Sequence, residues 1–362
     1  MQLIYNHDRK AFLINEGEEE LTSIDFKFSD LDHEGNEMTM EEAAGFTCCE
    51  YYKKDVKELA FKVVNVKNMG EGGGDPKRVG WMLPISMLTT EDEETLDKEH
   101  VNQYVFFAYC YLLGKEAVVN ELINGKELDE ILTNAYPDGC LLITNVANMP
   151  EGVTLKKLEL SLARNGYFVS PTGYANPLIN EEGNNLNLTP AGEILKADGT
   201  YIDPYIEKLL NQYSYNSNTF IRFLYLYQVE EVLMNTEMVY QLEDFLYLLK
   251  QNKPNYRKVE NGLKETTESK RLKQIVENAH LRSTISNALD QKCNEFLNSE
   301  GDNPLVQPES IYQVRNHIVH RFRVASGDEN AVKDICDHLE LYLYDLLICY
   351  KLPKVNRPAP AA

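Results

Sequence analysis

The run Leu339-Glu-Leu-Tyr-Leu-Tyr-Asp-Leu-Leu-Ile-Cys349 constrains this chain's fold more than any other stretch. Only Glu340 and Asp345 interrupt its apolar residues. Read with a helical period it is apolar on every side, and such a helix cannot face water: it is either central in a bundle or part of a subunit interface. It is too short to cross a bilayer, which takes about 18 to 20 apolar residues, and no run of that length occurs in the chain.

The segments before this run read as its helical neighbours. From Asp203 the patterning predicts helices at 203–213, 217–233, 236–251, 257–279, 281–298, 308–323 and 328–351. Leu272, Ile275, Val276 and Ala279 form one stripe at helical spacing, and Leu281, Ile285 and Leu289 form another. Asn216–Thr219 and Asp328 are expected caps. Short connections imply antiparallel neighbours, hence a compact all-α bundle over 203–352. The proline-bearing end, 353–362, is expected to be a disordered tail.

Residues 1–200 read as an α+β region of no recognisable family, although the chain as a whole is predominantly helical. Short β-like runs stand at Leu3–Tyr5, Ala11–Ile14, Ile24–Phe28 and Phe61–Val64, separated by acidic loops. From Asp97 to about Tyr136 the pattern turns helical, with Val101, Tyr104, Val105, Ala108 and Leu112 expected in a core. Gly70–Arg78 lacks the order of a phosphate-binding loop and reads as a turn. Asp30 and Asp32 read as a solvated loop. Leu188-Thr-Pro-Ala-Gly-Glu-Ile-Leu195 fits either the wing of a winged-helix domain, following a recognition helix at 155–165, or a short capped helix.

Charge narrows the choice of function. The 362 residues carry 36 Lys+Arg against 57 Asp+Glu, a net charge of −21. Tight nonspecific binding to long nucleic acid needs a basic surface, so any nucleic-acid chemistry must be local. Residues 1–60 alone hold fifteen acids and six bases, whereas the stretch from Pro308 to Arg323 has three arginines and one acid, Glu309. The start has no apolar leader, and the protein is expected in the cytosol, away from membranes. Seven scattered cysteines without metal-ligand spacing read as reduced thiols.

The positive stretch contains Arg315-Asn316-His317-Ile318-Val319-His320. Arg is a permanent planar donor suited to phosphate oxygens, and His exchanges a proton near neutral pH, so the group suits phosphodiester cleavage. On a helix Arg315 and His320 diverge by about 140°, whereas Asn316 and His320 share a face. Convergence on one phosphate therefore needs either the length of Arg315 or a second copy of the helix. His317 and His320 also have the spacing of a metal pair, but no CxxC or HExxH pattern accompanies them, so neither metal nor cofactor is expected.

Arg, a polar residue, three residues and His is the signature that Tyr312–His320 shares with helical ribonucleases, and the segment resembles the HEPN superfamily. The likeness is closest to domains fused into bacterial toxin and abortive-infection proteins of antiviral defence. It implies a metal-independent endoribonuclease acting through the RNA 2′-hydroxyl at a composite site in a homodimer. It further implies His320 as general acid or base, Arg315 as the holder of phosphate charge and Asn316 as an orienter. His317 is a possible accessory, as are Glu230 and Glu231, because family members often carry an acid on an early helix of the bundle. Arg321 and Arg323 would contact RNA, for example tRNA or another structured RNA. Residues 1–200 would then serve as sensor, inhibitor or binding module for a trigger or antitoxin. The alternative is a noncatalytic helical protein that binds RNA or a protein partner.

Overall fold

The computed structural model describes residues 2–6, 11–15, 20–25, 45–53, 61–67, 75–89, 128–136, 138–169, 176–179, 185–196, 198–252, 268–279, 283–307, 309–320 and 328–353. Single positions at 104, 107, 108, 111, 112, 115, 118 and 257 complete the set. Outside it lie Asp30, Asp32, Gly70–Gly74, Val101, Val105, Cys110, Leu281, Arg321, Arg323 and the expected tail from Lys354. A sheet-bearing region is followed by a helical one, as the patterning predicts. Contacts divide the chain into two units: Met1–Val153 with Tyr167–Pro171 and Glu182–Leu188, and Thr154–Gly166 with Thr172–Glu181 and Thr189–Ala362.

The first unit contains a three-stranded antiparallel meander, β1 (Gln2–Asn6), β2 (Ala11–Asn15) and β3 (Glu20–Asp25). Its second sheet has five strands: β4 (Phe46–Tyr52), β5 (Lys62–Val66), β6 (Lys77–Pro84), β7 (Gly139–Asn145) and β8 (Asn185–Leu188). Their order is β4-β7-β6-β5-β8, antiparallel except where β5 meets β8. β4, β6, β7 and β8 lie outside the β-like runs read from the sequence. In β7, Gly139–Thr144 is buried throughout, so the period-2 alternation that marks a half-exposed strand is missing. Gly80 in β6 lies so close to the Ile143 carbonyl that any side chain would collide with it. One face of the sheet packs on Tyr104, Phe107, Ala108 and Leu112, and Phe46 stacks on Phe107 at 4.2 Å between ring centres. Helix α1 (Leu128–Ala135) adds Ile131 and Leu132 to the same core.

The second unit is the helical bundle. Its helices are α2 (Leu155–Arg164), α3 (Pro204–Tyr215), α4 (Thr219–Asn252), α5 (Glu268–Ala279), α6 (Ser283–Ser299), α7 (Glu309–His320) and α8 (Glu329–Cys349). The apolar run lies in α8, which packs on α4, α6 and α2, so it is central within the chain. Leu339, Leu343, Leu346 and Leu347 are fully enclosed, each burial being worth roughly 1.5–3 kcal/mol before entropy is counted.

Two helices expected at 217–233 and 236–251 are one. Asn235 and Thr236 are poor helix formers but do not break a helix, and the Thr236 hydroxyl bonds back to the Val232 carbonyl at 3.0 Å. Asp203 caps α3 through Tyr205 N at 2.8 Å, with Pro204 at the first position. Asn218 caps α4 through Ile221 N. Asp328 makes no cap bond at α8 and instead accepts from the Ser299 hydroxyl at 3.2 Å.

Leu188–Leu195 forms neither a wing nor a helix: it leaves β8 and becomes a clasp on the end of α8. Gly192 N donates to Ile348 O at 2.9 Å and Glu193 N to Tyr350 O at 3.1 Å, giving partners to carbonyls at and just beyond the end of α8. A Cβ at Gly192 would stand 2.8 Å from the Tyr350 carbonyl oxygen. Gly192→Ala should therefore lower stability by about 1–3 kcal/mol in urea unfolding. An unchanged midpoint would mean that the clasp yields without cost.

Candidate functional site

The motif helix α7 buries Ile311, Val314 and Ile318, spaced three and four apart, against the bundle. That seating directs the polar motif residues to different surroundings. His320 is exposed at the last described turn, and Asn316, one turn earlier on the same side, is half-buried.

Arg315 leans toward α4. Its Nη2 lies 3.5 Å from Glu231 Oε1, its Nη1 lies 3.4 Å from Asn316 Oδ1, and its guanidinium carbon is 5.8 Å from the centre of the Tyr227 ring. Tyr227 and Glu231 are four residues apart on α4, so they present one face to the guanidinium. A pair this long and this open to solvent is worth about 0–1 kcal/mol. Arg315 is thus positioned but not locked, and a phosphate can compete for it.

His317 has a different job. It is 3 % exposed, with Nε2 2.7 Å from Asp302 Oδ2, Nδ1 3.8 Å from Glu300 Oε2, and its ring edge-on to Phe296. Gln313 Nε2 also donates to Asp302 at 2.9 Å. Gly301, with φ of +84°, turns the chain after α6 and places Asp302 there, a conformation that favours glycine. His317 therefore ties α7 to the end of α6 inside the bundle, whereas His320 is exposed. Among the described residues no group of three His, Cys, Asp or Glu is arranged to hold a metal ion.

The two glutamates also separate. Neighbours on a helix point about 100° apart, and while Glu231 faces Arg315, Glu230 is 0 % exposed in the bundle core. Neither Glu230 carboxyl oxygen has a hydrogen-bond partner. The Cys293 thiol and the Tyr342 hydroxyl, both buried, lie near it, and Ser310 stands beside Cys293. Burial, helped by the Glu231 charge, pushes the Glu230 carboxyl up to about 8. Burial likewise raises Glu237, 3.4 Å from the Tyr350 hydroxyl, to about 7. Glu340 is raised by burial to about 7, although Asn176 donates to it at 2.8 Å. The apolar frame of Val229, Val232 and Leu233 around an adjacent Glu pair is the one signal in the sequence that one of the two acids must face inward. Tyr227, four residues before Glu231, and Asp302, in the turn before α7, are partners that only the packing reveals.

These raised values carry a stability consequence. A carboxyl with a higher pKa folded than unfolded keeps its proton in the folded chain between about 4.5 and the raised value, so folding is favoured progressively less as pH climbs through that window. Stability of the helical unit should therefore fall from pH 5 toward pH 8. Glu230→Gln cannot ionise and should flatten this slope, giving a higher urea midpoint than the parent at pH 8 and little difference at pH 5. An identical slope in both proteins would remove Glu230 from the account. Replacing His317 with alanine should destabilise by about 1–3 kcal/mol, because it opens a gap against Phe296 and leaves Asp302 without its imidazole partner. A midpoint that does not move would contradict a structural role. No family model matches this chain, and neither a curated protein nor a solved structure matches it.

Proposed function

We propose that this protein is a metal-independent endoribonuclease of bacterial defence or toxin type. The observation that carries this reading is the loosely paired Arg315 on the same solvent-accessible helix as Asn316 and exposed His320. RNA cleavage through the 2′-hydroxyl needs a proton removed, negative charge on phosphorus accommodated and a proton returned to the leaving 5′-oxygen. His320 exchanges protons with the reacting oxygens, and Arg315 moves from Glu231 to the phosphate. Asn316 orients His320 or the substrate. His317 is left out of the chemistry.

Because Arg315 and His320 diverge on one helix, the complete site takes one set from each of two protomers. Ile221, Val239 and Leu246 support this arrangement. They stand exposed along one line of α4, close to whole numbers of helical turns apart, on the helix that carries Glu231. A second copy packing along that line would cover these apolar side chains on the helix that pairs with Arg315. The acidic N-terminal region serves in this reading as the sensor or partner-binding module, and the protein acts in the cytosol. The competing reading, a helical protein that binds RNA or protein without cutting, draws support from the net charge of −21.

Purified protein incubated with tRNA and mixed RNA should produce fragments ending in a 2′,3′-cyclic phosphate, with EDTA present or absent. His320→Ala should abolish cleavage with folding and mass unchanged. Arg315→Lys should slow it at least ten-fold, since a point charge replaces a two-pronged donor. Activity that EDTA removes and a divalent ion restores would refute the mechanism, and binding without any cut would favour the competing reading.

A further inference from the structure

We infer that Tyr312 is a stacking platform for an unpaired nucleobase, a subsite that holds the RNA strand beside the Arg315–His320 group. The inference rests on the ribonuclease reading and adds to it the substrate class, single-stranded RNA or a loop whose bases are splayed out.

The argument starts from the outer face of α7. Its inner face is occupied by Ile311, Val314 and Ile318, with Ser310 and His317 also buried. At 100° per residue, Tyr312 points outward between the directions of Arg315 and Asn316, which lie three and four positions further on and are its immediate neighbours on the helix surface. Tyr312 is 40 % exposed and Val319 is 42 % exposed. Val319 lies one turn beyond the Arg315–Asn316 pair, beside His320. The outer face thus carries, over two turns and in order, an aromatic ring, a cation with an amide, and an imidazole flanked by an apolar side chain.

A single strand of nucleic acid offers the matching order, because each base flanks a phosphate and every base has a face that stacks on an aromatic ring. Tyr312 stands three residues before Arg315, about 5 Å along the helix axis, so a base next to a phosphate held by Arg315 is within reach of its ring. Stacking does not depend on surface charge, so it supplies affinity that a chain of net charge −21 cannot draw from a broad basic surface. A paired duplex keeps its bases stacked inside and cannot use the platform. Discrimination between single and double strands follows directly.

The experiment uses the full chain and single-stranded oligoribonucleotides carrying 2-aminopurine, with duplexes of the same sequence as controls. Tyr312→Ala should raise KM on the order of ten-fold with little change in kcat. Tyr312→Phe and Tyr312→Trp should restore the parent value, because the ring and not the hydroxyl does the work. In the His320→Ala background, binding should quench 2-aminopurine, and adding Tyr312→Ala should remove the quench while leaving molecular mass and helical circular dichroism unchanged. If the wild-type chain cuts RNA while Tyr312→Ala keeps the parent KM and quenching, the platform is wrong and the nuclease reading stands. If the quench depends on Tyr312 but no RNA is cut, the platform stands and the nuclease reading falls. Absence of both overturns both, and a fall in mass for Tyr312→Ala would overturn the platform by assigning the ring to a subunit contact.

Discussion

The burial of α8 is the constraint on which the helical unit depends. A helix with apolar side chains on all sides is stable in water only when other helices cover it, and α2, α4 and α6 do so. Once α4 and α6 are seated against α8, α7 settles against them through Ile311, Val314 and Ile318. The direction in which Arg315, Asn316, His317 and His320 point follows from that seating. The motif contributes its chemistry, but the apolar core decides which of its members reach solvent.

The same core contains acids that it cannot solvate. Glu230, Glu237 and Glu340 are enclosed among apolar side chains, and burial holds all three well above the ordinary carboxyl range. Glu340 is held by the Asn176 side chain and Glu237 is approached by a tyrosine hydroxyl, whereas the Glu230 carboxyl has no bonding partner. A protonated carboxyl at that position is neutral, whereas its neighbour Glu231 lies at the surface and pairs with Arg315. The surface pair stays weak because water reaches it. The acid in the core stays uncharged because water does not.

Much of the helical unit was legible in the residues, and the reason is periodicity. The stripe Leu272, Ile275 and Ala279 and most of the run at 339–349 match positions that the bundle buries. The expected break between 233 and 236 is absent: Asn235 and Thr236 are weak helix formers, yet the Val232 carbonyl accepts the Thr236 hydroxyl within a continuous helix. In the sheet-bearing unit the reading was poorer. β7 is buried on both faces and shows no alternation, while β8 alternates Asn185-Leu-Asn-Leu188 over only four residues, too short a run to mark a strand. The stretch Leu188–Leu195 was ambiguous for a related reason: two of its backbone donors, Gly192 and Glu193, are satisfied at the end of α8, more than 150 residues away in sequence.

The sequence by itself determined that residues 339–349 must be covered, by other helices or by a second subunit, and that a guanidinium, an amide and two imidazoles lie within two turns of one helix. Those conclusions follow from side-chain chemistry and local geometry, both of which act over a few residues. Only the tertiary structure decided that His317 serves the core while His320 faces water, that Glu231 meets Arg315 while Glu230 is buried, and that Tyr227 lies beneath the guanidinium. Each of these turns on which helix stands opposite, and neighbours on one helix, 100° apart, meet different partners. The rotation of α7 and α4 about their axes, set by packing against α8 and α6, separates residues that look equivalent along the chain.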